Sequence, residues 1–468
     1  MISTLVPLVL ATVPAVLAQS SCSAPELTAS YPAPTLAAGY AARLVASGLQ
    51  RPRGIKFDTK GRLLVVEQSL GIQAITFNDY GGDCLSVKSK DAVVNDDQLN
   101  HGIELSGDGR TLYASTSDVA YSYDYNPDDH STSNRRTLIT GMDNPDHSTR
   151  TLLLSKMADG MLLVSRGSAD NYDAGAASLS TGRSQIRAFN ISNLTSSDTY
   201  DYTTQGLRLG WGLRNSVGIA EHPETGGIYS VENSVDNAER LGQDIHENNP
   251  GEEMNFHGYL NGTHYASQGG NYGYPTCFAA WNASLLPDNQ GIETGTQFAL
   301  GTPNNTVNDD VCKNDHVAPR LTFPAHWAPL DIKFNSNGSV AYVTSHGSWN
   351  RDNPDGYLVF ALEFANGEPT HPANSTDAIL PIMSNVNNSG CPDNCFRPVS
   401  LAFDSKGRLF VSADSSGAIF VITRADGSSV DALGNATSTS KPSSANGLIV
   451  NSGWALLLGA AVAMVLVL

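Results

Sequence analysis

The chain has 468 residues, with 28 Lys and Arg against 46 Asp and Glu and a formal net charge of −18. Such an acidic balance argues against nucleic acid and anionic membrane surfaces as partners, while leaving room for a local basic patch. Charged residues make up only 16% and Gly numbers 43, which suits turn-rich β structure better than helices.

Met1 to Ala18 is apolar and ends in Val-Leu-Ala before Gln19, which resembles a secretory signal peptide without the usual basic start. Six Cys and nine Asn-x-Ser/Thr sequons (Asn190, Asn193, Asn261, Asn282, Asn304, Asn337, Asn374, Asn387 and Asn435) support the secretory route. Residues 19–48 read as an arm ahead of the first repeat.

From Arg51 the chain repeats one phrase: strand, Asp/Asn/Gly turn, strand. The copies are RPRGIKFDTKGRLLVVEQ from Arg51, HGIELSGDGRTLYAS from His101, STRTLLLSKMADGMLLVS from Ser148 and GIAEHPETGGIYSVEN from Gly218. LDIKFNSNGSVAYVTS follows from Leu330, and FRPVSLAFDSKGRLFVSADSSGAIFVI from Phe396. Six such copies without intervening helices predict an all-β, six-bladed β-propeller over 49–424. Blade one runs from Leu49 to about Thr76, and the later blades start near Asn100, Asp146, Trp211, His326 and Asn394. Blade four's strands are expected to end near Asn233. The interval Val235 to about Ala325 lacks the phrase, holds Cys277, Cys312 and three sequons, and its middle reads as a loop excursion rather than an extra blade. The favoured cysteine pairs are Cys391–Cys395, Cys277–Cys312 and Cys22–Cys84, the last tying the arm to the first blade.

After Thr423 the composition turns to Ser, Thr, Gly and Pro, so 425–446 is expected to be a flexible stalk. Trp454 to Leu468 is a terminal apolar tail behind small residues and a short spacer, the pattern of a GPI-anchor signal over 447–468 with attachment near Ser444. The rival reading is a transmembrane helix. The tail is shorter than the ~20 apolar residues a span needs, and no basic stop-transfer residues flank it.

In a propeller the first strand of each phrase lines the central channel, so the residues just before it crowd around one mouth. These are Arg51 and Arg53, His101, His147 and Arg150, Arg214 and Asn215, His326 and Trp327, and Arg397. The loop after the second strand opens on the same face: it is His346-Gly347-Ser348-Trp349-Asn350-Arg351 in blade five and contains Arg166 in blade three. A lone Arg there is ordinarily a solvated rim charge, and a lone His a hydrogen-bonded structural residue. Registration is what points further. Arg51 and Arg397 each stand immediately before a proline, and His147 and Arg214 share one offset from the turn that follows. The expectation is a polyanion site.

These residues resemble those of the quinoprotein sugar dehydrogenases, and most closely the fungal pyrroloquinoline-quinone (PQQ)-dependent pyranose dehydrogenases. The resemblance spans Leu49 to Thr423 and rests on HGSWNR at His346–Arg351 with PDGY at Pro354–Tyr357, LRNSVG at Leu213–Gly218 and NYGYP at Asn271–Pro275. It implies a propeller with PQQ on the axis, held by Arg and Asn and bridged to Ca²⁺. PQQ carries three carboxylates and an ortho-quinone, so Arg forks are its complement. By motif match Arg214 and Asn215 contact the cofactor, Arg397 binds a carboxylate and His147 is the base, with His101 and His346 as rivals. Arg51, His101, His346, Trp349 and Arg351 complete the cofactor wall, Arg351 standing in for a family lysine. The family's calcium loop is replaced by Asn248-Asn249-Pro250-Gly251-Glu252-Glu253, where main-chain carbonyls of Asn249 and Pro250 are the expected ligands. The implied activity is oxidation of a pyranose at its anomeric carbon, with fucose or 2-keto-glucose as examples, and electrons passing to a haem protein. A calcium-dependent propeller lactonase and a non-enzymatic binding propeller are the alternatives. A lactonase wants Glu, Asn and Asp on the axial metal, and a binding propeller needs no cationic ring.

Overall fold

The computed structural model describes residues 22–195 and 197–431. The expected signal peptide, the GPI tail, Ser444 and all but the first residues of the stalk lie outside the described residues. Six sheets, each built on four antiparallel strands, form the blades. Blade one, Pro52–Phe57, Leu63–Glu67, Gly71–Asp79 and Leu85–Asn95, sets the pattern. The second strand is buried throughout in blades one and six, at Leu63–Glu67 and Leu409–Ala413. Both faces of that strand pack on neighbouring blades, which is why it reads as a continuous apolar run; each buried Val or Leu stabilises by about 1.5–3 kcal/mol.

The blades approach closely near the axis because glycine recurs in the first strands. A Cβ on Gly54 would stand 2.0 Å from the His101 carbonyl oxygen of blade two, and one on Gly102 would stand 2.1 Å from the Arg150 carbonyl oxygen of blade three. No side chain fits at either position.

Two segments differ from the expected boundaries. The arm is part of the propeller: Tyr40–Ala46 pairs with Ala418–Arg424 as the outer strand of blade six, closing the ring, and Thr35–Leu36 extends blade five. The interval after Asn233 adds no blade, but blade four does not end there. That interval supplies blade four's third and fourth strands, Glu252–Tyr259 and Leu321–Phe323, around the hairpin Cys277–Ala279 with Gln297–Ala299 and the helix Asp309–Asp315. Glu252–Tyr259 is buried over all but its last residue, so it has no polar alternation to announce it. Cys22–Cys84, Cys277–Cys312 and Cys391–Cys395 are all bonded.

Candidate active site

Two strings of polar side chains lie at the mouth formed by the segments before the first strands. The first crosses blades one, six and five. Arg53 Nη1 donates to Asp414 Oδ2 at 2.7 Å, and His346 Nε2 donates to Asp414 Oδ1 at 2.8 Å. Arg397 Nη2 donates to His346 Nδ1 at 3.0 Å, and its Nε donates to the His346 carbonyl at 3.1 Å. A carboxylate only accepts, so His346 carries its proton on Nε2 and both ring nitrogens are engaged. Burial pushes the His346 imidazole down. Burial opposes ionisation of Asp414, but His346 and Arg53 outweigh it and hold that carboxyl well below the usual range. Of these two partners Arg53 is the permanent charge, since a neutral His346 contributes chiefly a hydrogen bond.

The second string crosses blades three, four and five. His147 Nδ1 lies 3.1 Å from the Ser168 carbonyl oxygen and 2.9 Å from its hydroxyl. The carbonyl can only accept, so Nδ1 carries the proton and the Nε2 lone pair is left as an acceptor. Burial first, then the charge of Arg214, push His147 down to about 4, so it is neutral at neutral pH. Gly167 permits the crowding here: a Cβ on it would stand 2.6 Å from Asn215 Oδ1 and 2.7 Å from His147 Cβ. Arg214 donates to the Asn171 carbonyl, Asn171 Oδ1, the Asn233 carbonyl and Asp236 Oδ2, at 2.9–3.3 Å. Asp236 also pairs with His326 Nδ1 at 3.3 Å. Burial opposes charge on His326, but Asp236 and Glu252 outweigh it and raise its pKa.

Beneath Arg214 lie three buried carboxylates, Glu232, Glu252 and Glu253. Glu232 accepts from the Arg214 backbone N–H at 2.8 Å, and Asn255 Nδ2 donates to Glu253 at 2.9 Å. Glu232 and Glu253 stand directly opposite on adjacent strands. Burial pushes Glu252 and Glu253 up to about 7, and burial with the neighbouring Glu253 pushes Glu232 up as well. The sign follows: the folded state binds more protons than the unfolded one between about pH 4.5 and 7, so each raised carboxyl contributes stability below that window and loses it through the window. Histidines buried neutral act oppositely, so a difference between variants isolates the effect. Thermal denaturation should show Glu253→Gln gaining on the wild type by on the order of 1–3 kcal/mol between pH 5 and 8; a difference constant with pH would contradict it.

The remaining expected residues divide. Arg51 is exposed, and its side chain makes no hydrogen bond or ion pair among the described residues; Arg53 reaches Asp414 instead. Arg150 is fully buried and binds the Met142, His147 and Thr149 carbonyls, which makes it the clamp of its own loop rather than a wall residue. Arg166 likewise holds the Thr181 and Asp143 carbonyls. Arg351 is tied to Glu247 and the Asn353 carbonyl. Trp349 stands 64% exposed on the rim, so it is free to meet a ligand rather than packed. His101 is buried, with Nδ1 lacking a partner. Sequence reasoning missed Asp414, whose Ala-Asp-Ser-Ser-Gly surroundings look like any turn.

Arg53 Nε and Nη2 and Arg397 Nη1 have no hydrogen-bond partner among the described residues, so two guanidinium groups of the first string keep donors for an anion. That donor set fits a planar polycarboxylate such as PQQ. A metal fits less directly. The Asn249 amide is occupied by the Asn282 carbonyl and the Trp281 and Asn282 backbone N–H groups. Among the described residues no cluster of three His, Cys, Asp or Glu is arranged for a cation. Main-chain carbonyls around Asn249 and Pro250 are what remains.

Residues 34–425 match the model of the TrAA12-like family. A pyrroloquinoline quinone-dependent sugar dehydrogenase of Hypocrea jecorina is 48% identical over 405 residues, covering 86% of this chain and 92% of its own. The calcium structure of the Trichoderma reesei Carbohydrate-Active Enzymes Family AA12 protein superposes with a TM-score of 0.83 at 49% identity, over 86% of this chain and 99% of that one. The holo form of the PQQ domain of pyranose dehydrogenase from Coprinopsis cinerea gives 0.79 at 37% identity, over 86% and 99%.

Proposed function

Since the chain belongs to the TrAA12-like family of PQQ-dependent sugar dehydrogenases, we propose that it oxidises a pyranose at the anomeric carbon, at the mouth that carries His147, Arg53 and Arg397. It is an oxidoreductase acting on sugar CH–OH, with PQQ as its cofactor. The observation that carries the anomeric reading is the His147 geometry. A ring fixed by Ser168 at Nδ1, neutral at neutral pH, presents Nε2 to accept a hydroxyl proton. The hemiacetal then gives up its C–H hydrogen as hydride and becomes a lactone. When bound, PQQ would supply the hydride acceptor, and a Ca²⁺ held at this mouth would polarise it. Arg53 and Arg397 would hold the carboxylates, and Asn215 lies next to the base. Arg214, whose donors are already engaged, would act mainly by keeping His147 neutral. Electrons leave to a one-electron acceptor such as a haem protein.

Dye reduction by purified protein tests this reading. An aldopyranose should support turnover only after PQQ and Ca²⁺ are added; turnover without PQQ would overturn it. Secretion and GPI attachment near Ser444 rest on the apolar termini and the sequons. Phosphatidylinositol-specific phospholipase C should release the protein from intact cells, and retention after effective treatment would favour a transmembrane tail.

A further inference from the structure

The axial channel holds a cavity of about 780 Å³ that the mouth does not use. Its lining comes from the innermost strands and from the turns that follow them, including Thr59, Gly109, Asp159 and Ser336, so it opens on the face opposite His147. We propose that this cavity is a second binding site, for a neutral sugar of one or two rings.

The half-buried cations of the channel are paired, Lys56 with Glu104 and Lys333 with Asp331 at 2.7 Å, while exposed Lys156 lines the cavity together with the carboxylates of Asp58, Asp159 and Glu221. Asp331 also accepts from the Ser400 hydroxyl at 2.6 Å. Paired charges and hydroxyls are the donors and acceptors that a polyol complements. Half-buried Phe57 and Phe334 add apolar surface to the same wall. At the inner end two buried polar atoms, His101 Nδ1 and Thr151 Oγ1, have no partner in the protein. Both residues line the cavity. Such atoms are costly unless something in the cavity bonds to them, and the volume lies within the range of small-molecule sites. His101, expected on the cofactor wall, is therefore assigned here to the floor of the opposite cavity.

The test needs no cofactor. Saturation-transfer NMR of cellobiose and glucose with the apoprotein should show contact that survives His147→Ala, which alters only the mouth. Lys333→Met should weaken it about tenfold, the worth of one lost charge-assisted hydrogen bond. Thr59→Trp, on an exposed turn at the entrance, should narrow the opening and reduce contact without disturbing the core, and its fluorescence should shift on saturation with sugar. Contact abolished by His147→Ala, or left unchanged by both channel variants, would overturn the proposal and leave a hydrated channel. Because these readouts ignore turnover, they stand or fall separately from the dehydrogenase reading.

Discussion

Replacing His147 with Ala should lower kcat by about 10²–10⁴-fold while leaving PQQ affinity nearly intact. The imidazole is the one His at the mouth with a ring nitrogen open to a substrate hydroxyl. His346 has both nitrogens engaged, by Asp414 and Arg397. His101 has its free Nδ1 buried in the channel wall. A base held down to about 4 is a weak base, but it is deprotonated across the neutral range and needs no prior proton loss. His147→Gln should not rescue, since an amide cannot take the proton. A His147→Ala enzyme with wild-type turnover, beside an inactive His101→Ala, would move the role to His101.

The second large effect is expected at Asp414. Its side chain is 4% exposed and accepts from both Arg53 and His346, which in turn receives Arg397. Removing it leaves a buried guanidinium without its counter-charge, so Asp414→Ala should cost about 3–5 kcal/mol in the denaturation midpoint. Asp414→Asn keeps an acceptor for one partner and should cost less. Both variants should also weaken PQQ binding, because Arg53 and Arg397 lose the group that orients them. A stable Asp414→Ala protein with unchanged PQQ affinity would remove this string from the site.

Much of the propeller was legible because each phrase repeats one physical unit, an apolar inner strand, a tight turn and a buried second strand. The arm and the later strands of blade four were not. Tyr40–Ala46 pairs with a strand almost the whole chain away, and such a contact leaves no local pattern. Glu252–Tyr259 is buried on both faces, and its two glutamates argue against a core strand unless their protons are counted. At the site, the offset of His147 and Arg214 was readable from the repeat, whereas the direction of a guanidinium was not. Arg150 sits at the expected mouth yet turns inward to carbonyls, and Arg53 rather than Arg51 faces Asp414, Arg51 standing exposed at a φ of 44°. Asp414 needed the fold, since only closure of the ring brings it against Arg53.

If the mouth holds PQQ, a sugar's hydride should reach the quinone there. Anaerobic mixing of the PQQ- and Ca²⁺-loaded protein with one equivalent of an aldopyranose tests this most directly. The oxidised-quinone absorbance should be lost stoichiometrically with formation of one lactone, and more slowly in His147→Ala. A quinone spectrum untouched by any aldopyranose, or lactone hydrolysis proceeding without PQQ, would contradict it.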